Sequence, residues 1–418
     1  MRKMKDIEQW FGELPTNWGV SRISSLYTLR NTKVSDKDYM PLSVTMKGIV
    51  PQLETAAKTN AHDDRKLVRR GDFAINSRSD RRGSCGISEY DGSVSLINTI
   101  LAPLREMNPH YYNWLFHTIQ FADEFYKWGH GIVDDLWTTG WQDMKKIMIP
   151  VPPLQEQKKI AVFLDTECSE IDSLSADIQA QIDTLEQYKK SVITEAVTKG
   201  LNPDVEMKDS GVEWLGMIPK NWTVSRLGGL YRDSTERGND ELPILTVSIN
   251  TGISDRELSD DETVKTVIRS SDRSLYKKVM PGDLAYNMMR AWQGAIGCAR
   301  VNGMVSPAYV VAKPIVNDID SRYIEYLLRT PTAIEEMHRY SYGIMDFRLR
   351  LYWPNFKNIK VCLPPYEEQK SIASYIDNKC TEIDSIIDQK KKQIKILEDY
   401  KKSIIYEYVT GKKEVPNE

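Results

Sequence analysis

The chain has 418 residues, with 56 Lys and Arg against 59 Asp and Glu, a formal net charge of −3, and 41% apolar and 28% charged residues. That profile excludes a disordered chain and leaves room for about two to four domains with cores of their own. No apolar run approaches the roughly 18 residues of a membrane-spanning helix, and a slightly acidic total means that any nucleic-acid contact must be sought locally.

The start, Met1 to Asp6, is basic, but no apolar stretch follows it, so a secretory signal is not expected and the cytoplasm is the expected location. Trp10 to Arg22 carries a Trp-x-Gly-x-x-Pro-x-x-Trp pattern, and Pro41 to Thr45 has strand character. Gly71 to Asn76 is a Gly-Asp motif leading into an apolar run. Tyr111 to Trp128 has the spacing of an amphipathic helix, and Gly131 to Asp134 follows it. Pro152-Pro153 stops the chain before a stretch free of Pro and Gly as far as Gly200. Residues 200 to 210 form a polar, turn-rich linker.

The order then repeats. Trp214 to Arg226 matches Trp10 to Arg22, Leu242 to Val247 has strand character, and Gly282 to Asn287 matches Gly71 to Asn76. Tyr323 to Tyr340 is a second amphipathic helix, and Gly343 to Asp346 matches Gly131 to Asp134. Pro364 to Thr410 aligns without a gap on Pro152 to Thr198, with about half the positions identical, whereas the domain interiors diverge. One part does the same job twice; the other does two versions of a job.

The matching segments are predicted long helices. Leu164, Ile171, Ile178, Leu185 and Val192 recur every seven residues, with Ile160, Cys168, Leu174, Ile182, Tyr188 and Ala196 in the intermediate turns. The second copy has Ile376, Ile383, Leu397 and Ile404, with Ile386 and Ile394 beside them and Lys390 interrupting. Such a repeat marks a helix that seeks another helix. At roughly 45 residues, each would be about 65–70 Å long and unstable alone. An antiparallel pairing, with a mixed α and β domain at each end, is the expected pseudo-twofold arrangement.

Sites for chemistry are sought and not found. Asn108-Pro109-His110-Tyr111 has His where an adenine methyltransferase loop needs a second Pro, and Leu363-Pro364-Pro365-Tyr366 lacks the polar residue. Pro203 to Lys208 contains nuclease letters packed too closely to converge on Mg²⁺. Phosphate-binding glycine motifs are missing. The five cysteines, Cys85, Cys168, Cys298, Cys362 and Cys380, form no CxxC and the five histidines are isolated, so neither a disulfide framework nor a metal site is expected.

Local charge is more telling. Arg65, Lys66, Arg69, Arg70, Arg78, Arg81 and Arg82 cluster in the first half around the Gly-Asp motif. Lys265, Arg269, Arg273, Lys277, Lys278, Arg290 and Arg300 do so in the second. The loops just after the motifs are the candidate base readers: Asn76, Ser77, Arg78, Arg81 and Arg82 in one, Asn287, Arg290, Trp292 and Gln293 in the other. Arg suits the guanine edge, while Asn and Gln suit adenine. A solvated charged loop beside a core Trp is the competing reading, which the repeated location disfavours.

The paired Trp-x-Gly-x-x-Pro-x-x-Trp openings, the Pro-Pro-x-x-Glu-Gln-Lys entries at Pro152 to Lys158 and Pro364 to Lys370, and the Tyr-Lys-Lys-Ser helix ends resemble the specificity subunit of type I restriction–modification systems over essentially the whole chain. The resemblance implies an α+β fold. Target-recognition domains at 1–151 and 211–363 would alternate with spacer helices at 152–200 and 364–412, joined by a linker at 201–210 and followed by a tail at 413–418. It further implies double-stranded DNA, two methyltransferase subunits and restriction subunits as partners, with S-adenosylmethionine, ATP and Mg²⁺ held by those partners and no cofactor or catalytic residue here. Glu156, Gln157, Lys158, Tyr188 and Lys189, with Glu368, Gln369, Lys370, Tyr400 and Lys401, are expected to dock partners. A DNA-independent coiled-coil scaffold is the alternative; a self-sufficient methyltransferase or nuclease is disfavoured by the missing motifs.

Overall fold

A computed structural model describes residues 10–52, 62–78, 82–132, 137–239, 241–257, 273–343 and 349–416. The chain forms two compact units. Unit 1 comprises residues up to 179 together with those from 391 onward, and unit 2 is the continuous stretch 180–390.

Unit 1 begins with β1 (Gly19–Arg22) and β2 (Tyr27–Arg30), followed by β3 (Lys33–Val34), β4 (Leu42–Thr45), β5 (Gly48–Pro51) and β6 (Arg65–Val68). Then come β7 (Phe73–Asn76), β8 (Cys85–Ile87), β9 (Gly92–Ser95) and β10 (Asn98–Pro103). Strands β2, β10, β7 and β8 form one antiparallel sheet, β3, β6 and β9 another, and β4–β5 a hairpin. The expected helix over Tyr111 to Trp128 is two helices, α1 (Pro109–Phe116) and α2 (Ile119–Lys127). Thr118 breaks it, because its side chain caps the second helix by accepting from Phe121 N. Asn108, the decoy methyltransferase residue, caps the first by accepting from Tyr111 N at 3.0 Å. After α3 (Trp141–Met144) and β11 (Met148–Val151), which pairs with β1, the long helix α4 runs Leu154–Lys199.

Unit 2 repeats this plan with β12 (Met207–Asp209), β13 (Met217–Pro219), β14 (Thr223–Arg226), β15 (Tyr231–Ser234), β16 (Val247–Ser248) and β17 (Gly252–Ile253). It continues with β18 (Lys277–Val279), β19 (Leu284–Asn287), β20 (Ile296–Cys298), β21 (Gly303–Val305), β22 (Tyr309–Pro314) and β23 (Lys360–Leu363). The sheet order β15-β22-β19-β20 reproduces that of unit 1. The expected strand over Leu242 to Val247 survives only as β16 and an isolated bridge at Ile244. The helix expected over Tyr323 to Tyr340 divides into α5 (Ser321–Leu328) and α6 (Pro331–Arg339), with Thr330 as cap and Pro331 in the first turn. The short α7 (Trp353–Phe356) precedes the long helix α8 (Tyr366–Val409). The end of the expected linker, β12, pairs with β13 beyond it, so that part of the segment is one arm of a folded hairpin.

Each unit builds its core from its sheet, its short helices and pieces of both long helices. In unit 1, Phe73, Tyr111, Leu115 and Phe116 are buried with Ile160, Leu164, Ile404 and Val409. In unit 2, Leu284, Tyr323 and Leu327 are buried with Ala196, Val197, Ile372 and Ile376. Tyr111 Oη donates to Val409 O at 2.9 Å, and Tyr323 Oη to Val197 O at 3.0 Å.

The helix pieces run antiparallel within each unit. Phe163 meets Tyr408, and Lys401 Nζ reaches Asp172 at 2.6 Å, in unit 1. Lys390 Nζ reaches Gln181 at 2.5 Å and Lys189 Nζ reaches Asp384 at 2.6 Å in unit 2. Leu164, Ile171, Ile178, Ile376, Ile383 and Ile404 are buried; Leu185, Val192, Ile394 and Leu397 are half-buried. Leu174, Tyr188 and Ile386 depart from expectation, being 49%, 53% and 42% exposed. The inward positions step alternately by three and four residues, passing through Ser175, Lys189 and Ile387. These exposed residues stand one place before them.

Candidate nucleic-acid interface

The basic loops occupy equivalent places in the two units. Strand β7 ends at Asn76 and returns as β8; strand β19 ends at Asn287 and returns as β20. Asn76 Oδ1 accepts from Arg78 N at 3.0 Å, and Asn287 Oδ1 from Met289 N at 3.0 Å, so both loops open with the same Asx turn. The chain following the repeated Gly131 and Gly343 motifs backs them. Thr139 N donates to Ser77 O at 2.9 Å, and Leu351 N donates to Met288 O at 2.8 Å.

This geometry sorts the predicted residues. Arg65 is buried, its guanidinium spent on Ser93 Oγ and Ser93 O, both at 2.9 Å, so it is a sheet-bracing residue and not a phosphate contact. Lys66 is half-buried and donates to Asn98 O at 2.7 Å; Lys277 does the same to Tyr309 O at 2.8 Å. Burial lowers the pKa of both ammonium groups. Asn76 is buried and Asn287 half-buried, with their amide oxygens committed to the turns, which removes them from the expected bidentate contact with adenine. Ser77 Oγ donates to Ile97 O.

Lys278 pairs with Glu236 at 3.0 Å, and Lys313 joins them. The two lysines, Lys313 foremost, hold the Glu236 carboxyl down to about 2. Arg70 pairs with Glu89 at 3.2 Å on the open surface. Arg82 pairs with Asp123 and lies 5.1 Å above the Tyr126 ring. Trp292 is half-buried, donating to Met289 O at 3.0 Å with its ring edge-on to His338. Arg69, Arg78, Arg290 and Gln293 are exposed, and Arg81 lies outside the described residues.

The aromatic neighbours of these loops were not expected. Tyr126 stacks on Trp137 with centroids 5.5 Å apart, and Trp137 Nε1 donates to Tyr126 O at 2.9 Å. With Phe121, Phe125 and Arg82 they line a small depression beside Asn76 and Arg78. The repeated Gly131 and Gly343 motifs were the available signal, since a motif kept twice marks a shared support. Among the described residues no cluster of His, Cys, Asp and Glu could hold a metal, and no helix is long and apolar enough to cross a membrane.

Most expected docking residues are used internally. Glu156 accepts from Asn17 Nδ2 at 2.6 Å and from Trp18 Nε1, and Glu368 accepts from Trp222 Nε1 at 3.1 Å. Buried Gln157 accepts from Asn108 N and donates to Pro152 O at 2.9 and 2.8 Å. Gln369 accepts from Asp320 N and donates to Pro364 O, each at 2.9 Å. These glutamates and glutamines latch each domain to its helix, while Lys189 and Lys401 hold the helix pieces together. Lys370 pairs with Glu367 at 2.7 Å. Lys158, Tyr188 and Tyr400 are exposed.

A family model described as the type I restriction modification DNA specificity domain matches residues 15–184 and 219–396. The type I restriction enzyme MjaVIII specificity subunit of Methanocaldococcus jannaschii is 27% identical over 350 residues, covering 78% of this chain and 76% of that protein. A solved structure concerned with complex assembly and conformational transition of the type I R-M system has a similar fold. Its TM-score is 0.69 at 15% identity, with 96% of this chain and 99% of that one covered. The HsdS subunit from Thermoanaerobacter tengcongensis gives 0.52 at 15% identity, covering 97% and 100%.

Proposed function

The chain belongs to the type I restriction modification DNA specificity family, as a DNA sequence-specificity subunit, and we propose on that premise that each unit reads one half of a bipartite site through its Asx-turn loop. The observation that carries this reading is the repetition of one frame with different contents. The same strand end, asparagine cap and backing segment present Arg78 in one unit and Arg290 with Gln293 in the other. A forked guanidinium suits guanine O6 and N7, and a carboxamide suits adenine N6 and N7. Recognition segments at 1–151 and 211–363, helical segments at 152–200 and 364–412, a joining stretch at 201–210 and a tail at 413–418 follow from this assignment.

Arg78→Ala and Arg290→Ala should each weaken specific binding by about 1–3 kcal/mol and relax one base position if the side chain reads a base. If it holds a phosphate, binding should fall evenly across sequences and the salt slope should drop by about one. Salt titrations on duplexes selected by the chain with its methyltransferase distinguish the two; unchanged affinity for both variants overturns the loop assignment.

The helices would set the distance between the half-sites. Four residues inserted near Gln181 add about 6 Å of helix, close to two base pairs at about 3.4 Å each. The spacer of the methylated motif should lengthen by one or two pairs, and an unaltered spacer rejects the ruler. The exposed Leu174 and Tyr400 of unit 1, and Ile386 and Tyr188 of unit 2, suit two copies of one methyltransferase subunit. Restriction subunits would complete a cytoplasmic complex, with S-adenosylmethionine, ATP and Mg²⁺ on the partners. This chain supplies the address and not the chemistry.

A further inference from the structure

Each unit has a second turn close to its reading loop, at the tip of the hairpin β4–β5 in unit 1 and β16–β17 in unit 2. The two tips are built alike. Lys47 N donates to Thr45 Oγ1 at 3.1 Å, and Asn250 N donates to Ser248 Oγ at 3.1 Å, so a hydroxyl opens both turns. Each hairpin is seated on the strand that returns from the reading loop, through Gly48 against Gly86 and Gly252 against Gly297. The residues at the tips differ. Unit 1 presents Met46-Lys47, and unit 2 the one-residue-longer Ile249-Asn250-Thr251.

In unit 2 one side chain ties this tip to the reading loop. Half-buried Arg329 donates through Nη2 to Ile249 O at 3.0 Å and to Asn250 O at 2.6 Å. Through Nη1 it donates to Ile296 O at 3.3 Å, where the loop rejoins β20. Buried Glu325 lies 3.8 Å from the same guanidinium. A Cβ on Gly294 of the loop would stand 3.9 Å from Ile249 O, so the two turns are neighbours. Asn250 and Thr251 are exposed.

The geometry points to the hairpin tip as a second specificity-determining segment of unit 2. Asn250 reads a base beside those met by Arg290 and Gln293, and Arg329 is the positioning residue that fixes one turn against the other. The inference rests on the proposed reading of DNA by the loops. A carboxamide matches the adenine edge. A tip without a cation is poorly suited to a phosphate. A phosphate contact also carries no sequence information, so it gives no reason for the two tips to differ in length and content. Unit 1 has His117 in the place of Arg329, bonded to Asn113 O of its own helix at 2.7 Å, so the same device does not couple tip and loop there.

The test uses the full chain produced with its methyltransferase subunit, reading the methylated motif across a genome, with thermal melts to report folding. Asn250→Ala should lose about tenfold in preference at one base position of one half-site, with the other half-site unchanged. Arg329→Lys keeps the charge and loses the fork, and should relax the same position. An arginine that only braces the fold would lower methylation at all sites evenly with every base preference intact, and that result overturns its positioning role. If Arg329→Lys melts early, Asn250→Ala, on an exposed turn, decides alone. An unchanged motif in Asn250→Ala, or an even fall across all sites, overturns the inference and leaves the reading loops standing. A wild-type chain that directs no bipartite motif overturns the reader assignment and this inference with it.

Discussion

Asp72→Asn is expected to destabilise unit 1 by about 2–3 kcal/mol, while the matching Asp283→Asn leaves unit 2 as stable at neutral pH or slightly more so. Both aspartates belong to the repeated Gly-Asp motif and both are buried. Asp72 takes Arg30 in two bonds, at 2.6 and 3.1 Å, and also accepts from Arg69 N at 2.8 Å. An asparagine keeps the backbone bond and loses the charge that holds the arginine.

Unit 2 has Ser234 where unit 1 has Arg30, so Asp283 retains its bond from Met280 N at 2.9 Å without a guanidinium. Burial there raises the carboxyl pKa above its ordinary value. A raised acid binds its proton more tightly folded than unfolded. Its favourable contribution is thus complete below the ordinary carboxylate pKa and is lost as pH rises through the raised one. Any gain from Asp283→Asn should accordingly appear at neutral pH and vanish in acid. Hydrogen exchange over residues 65–103 and 277–314 reads the two units separately; equal losses in both variants would refute the contrast.

Gly297→Ala is expected to cost about 2–3 kcal/mol and to loosen the β16–β17 hairpin. A Cβ on Gly297 would lie 2.5 Å from Ile253 N and 3.0 Å from Gly252 Cα, against backbone that cannot rotate away. The equivalent Gly86 faces Gly48 Cα at 2.9 Å, so Gly86→Ala should be milder. Denaturant midpoints that fall at constant slope would show this, and faster exchange confined to residues 247–253 would locate it. A Gly297→Ala midpoint equal to the parent's would contradict the close approach.

Repetition made much of this molecule legible before its coordinates. The duplication, the long helices and the placing of both basic loops follow from matched residues and from period. What escaped was decided partly by partners distant in sequence and partly by local turns and neighbouring helix positions. Arg65 counts as a basic residue until the strands on either side of β6 enclose it. Asn76 and Asn287 have the chemistry of base readers, yet the turn after each strand uses their oxygens first. The inward helix positions were misjudged at Leu174 and Tyr188, because polar Ser175 and Lys189 occupy places where an apolar residue was sought, and at Ile386, whose apolar neighbour Ile387 takes the inward place. The Thr330-Pro331 break, by contrast, was a readable cap and first-turn signal that amphipathic spacing masked.

Unit 1 is assembled from residues up to 179 and residues from 391 onward, whereas unit 2 is continuous. On a translating ribosome that difference becomes a delay. At about 5–20 residues per second, the roughly 210 residues between the two pieces of unit 1 take on the order of 10–40 seconds to make. During that interval Ile160, Leu164 and Tyr111 wait without Ile404, Tyr408 and Val409 to cover them. The half that is synthesised first is the half that is finished last, and its uncovered helix face is the surface on which a chaperone would be needed.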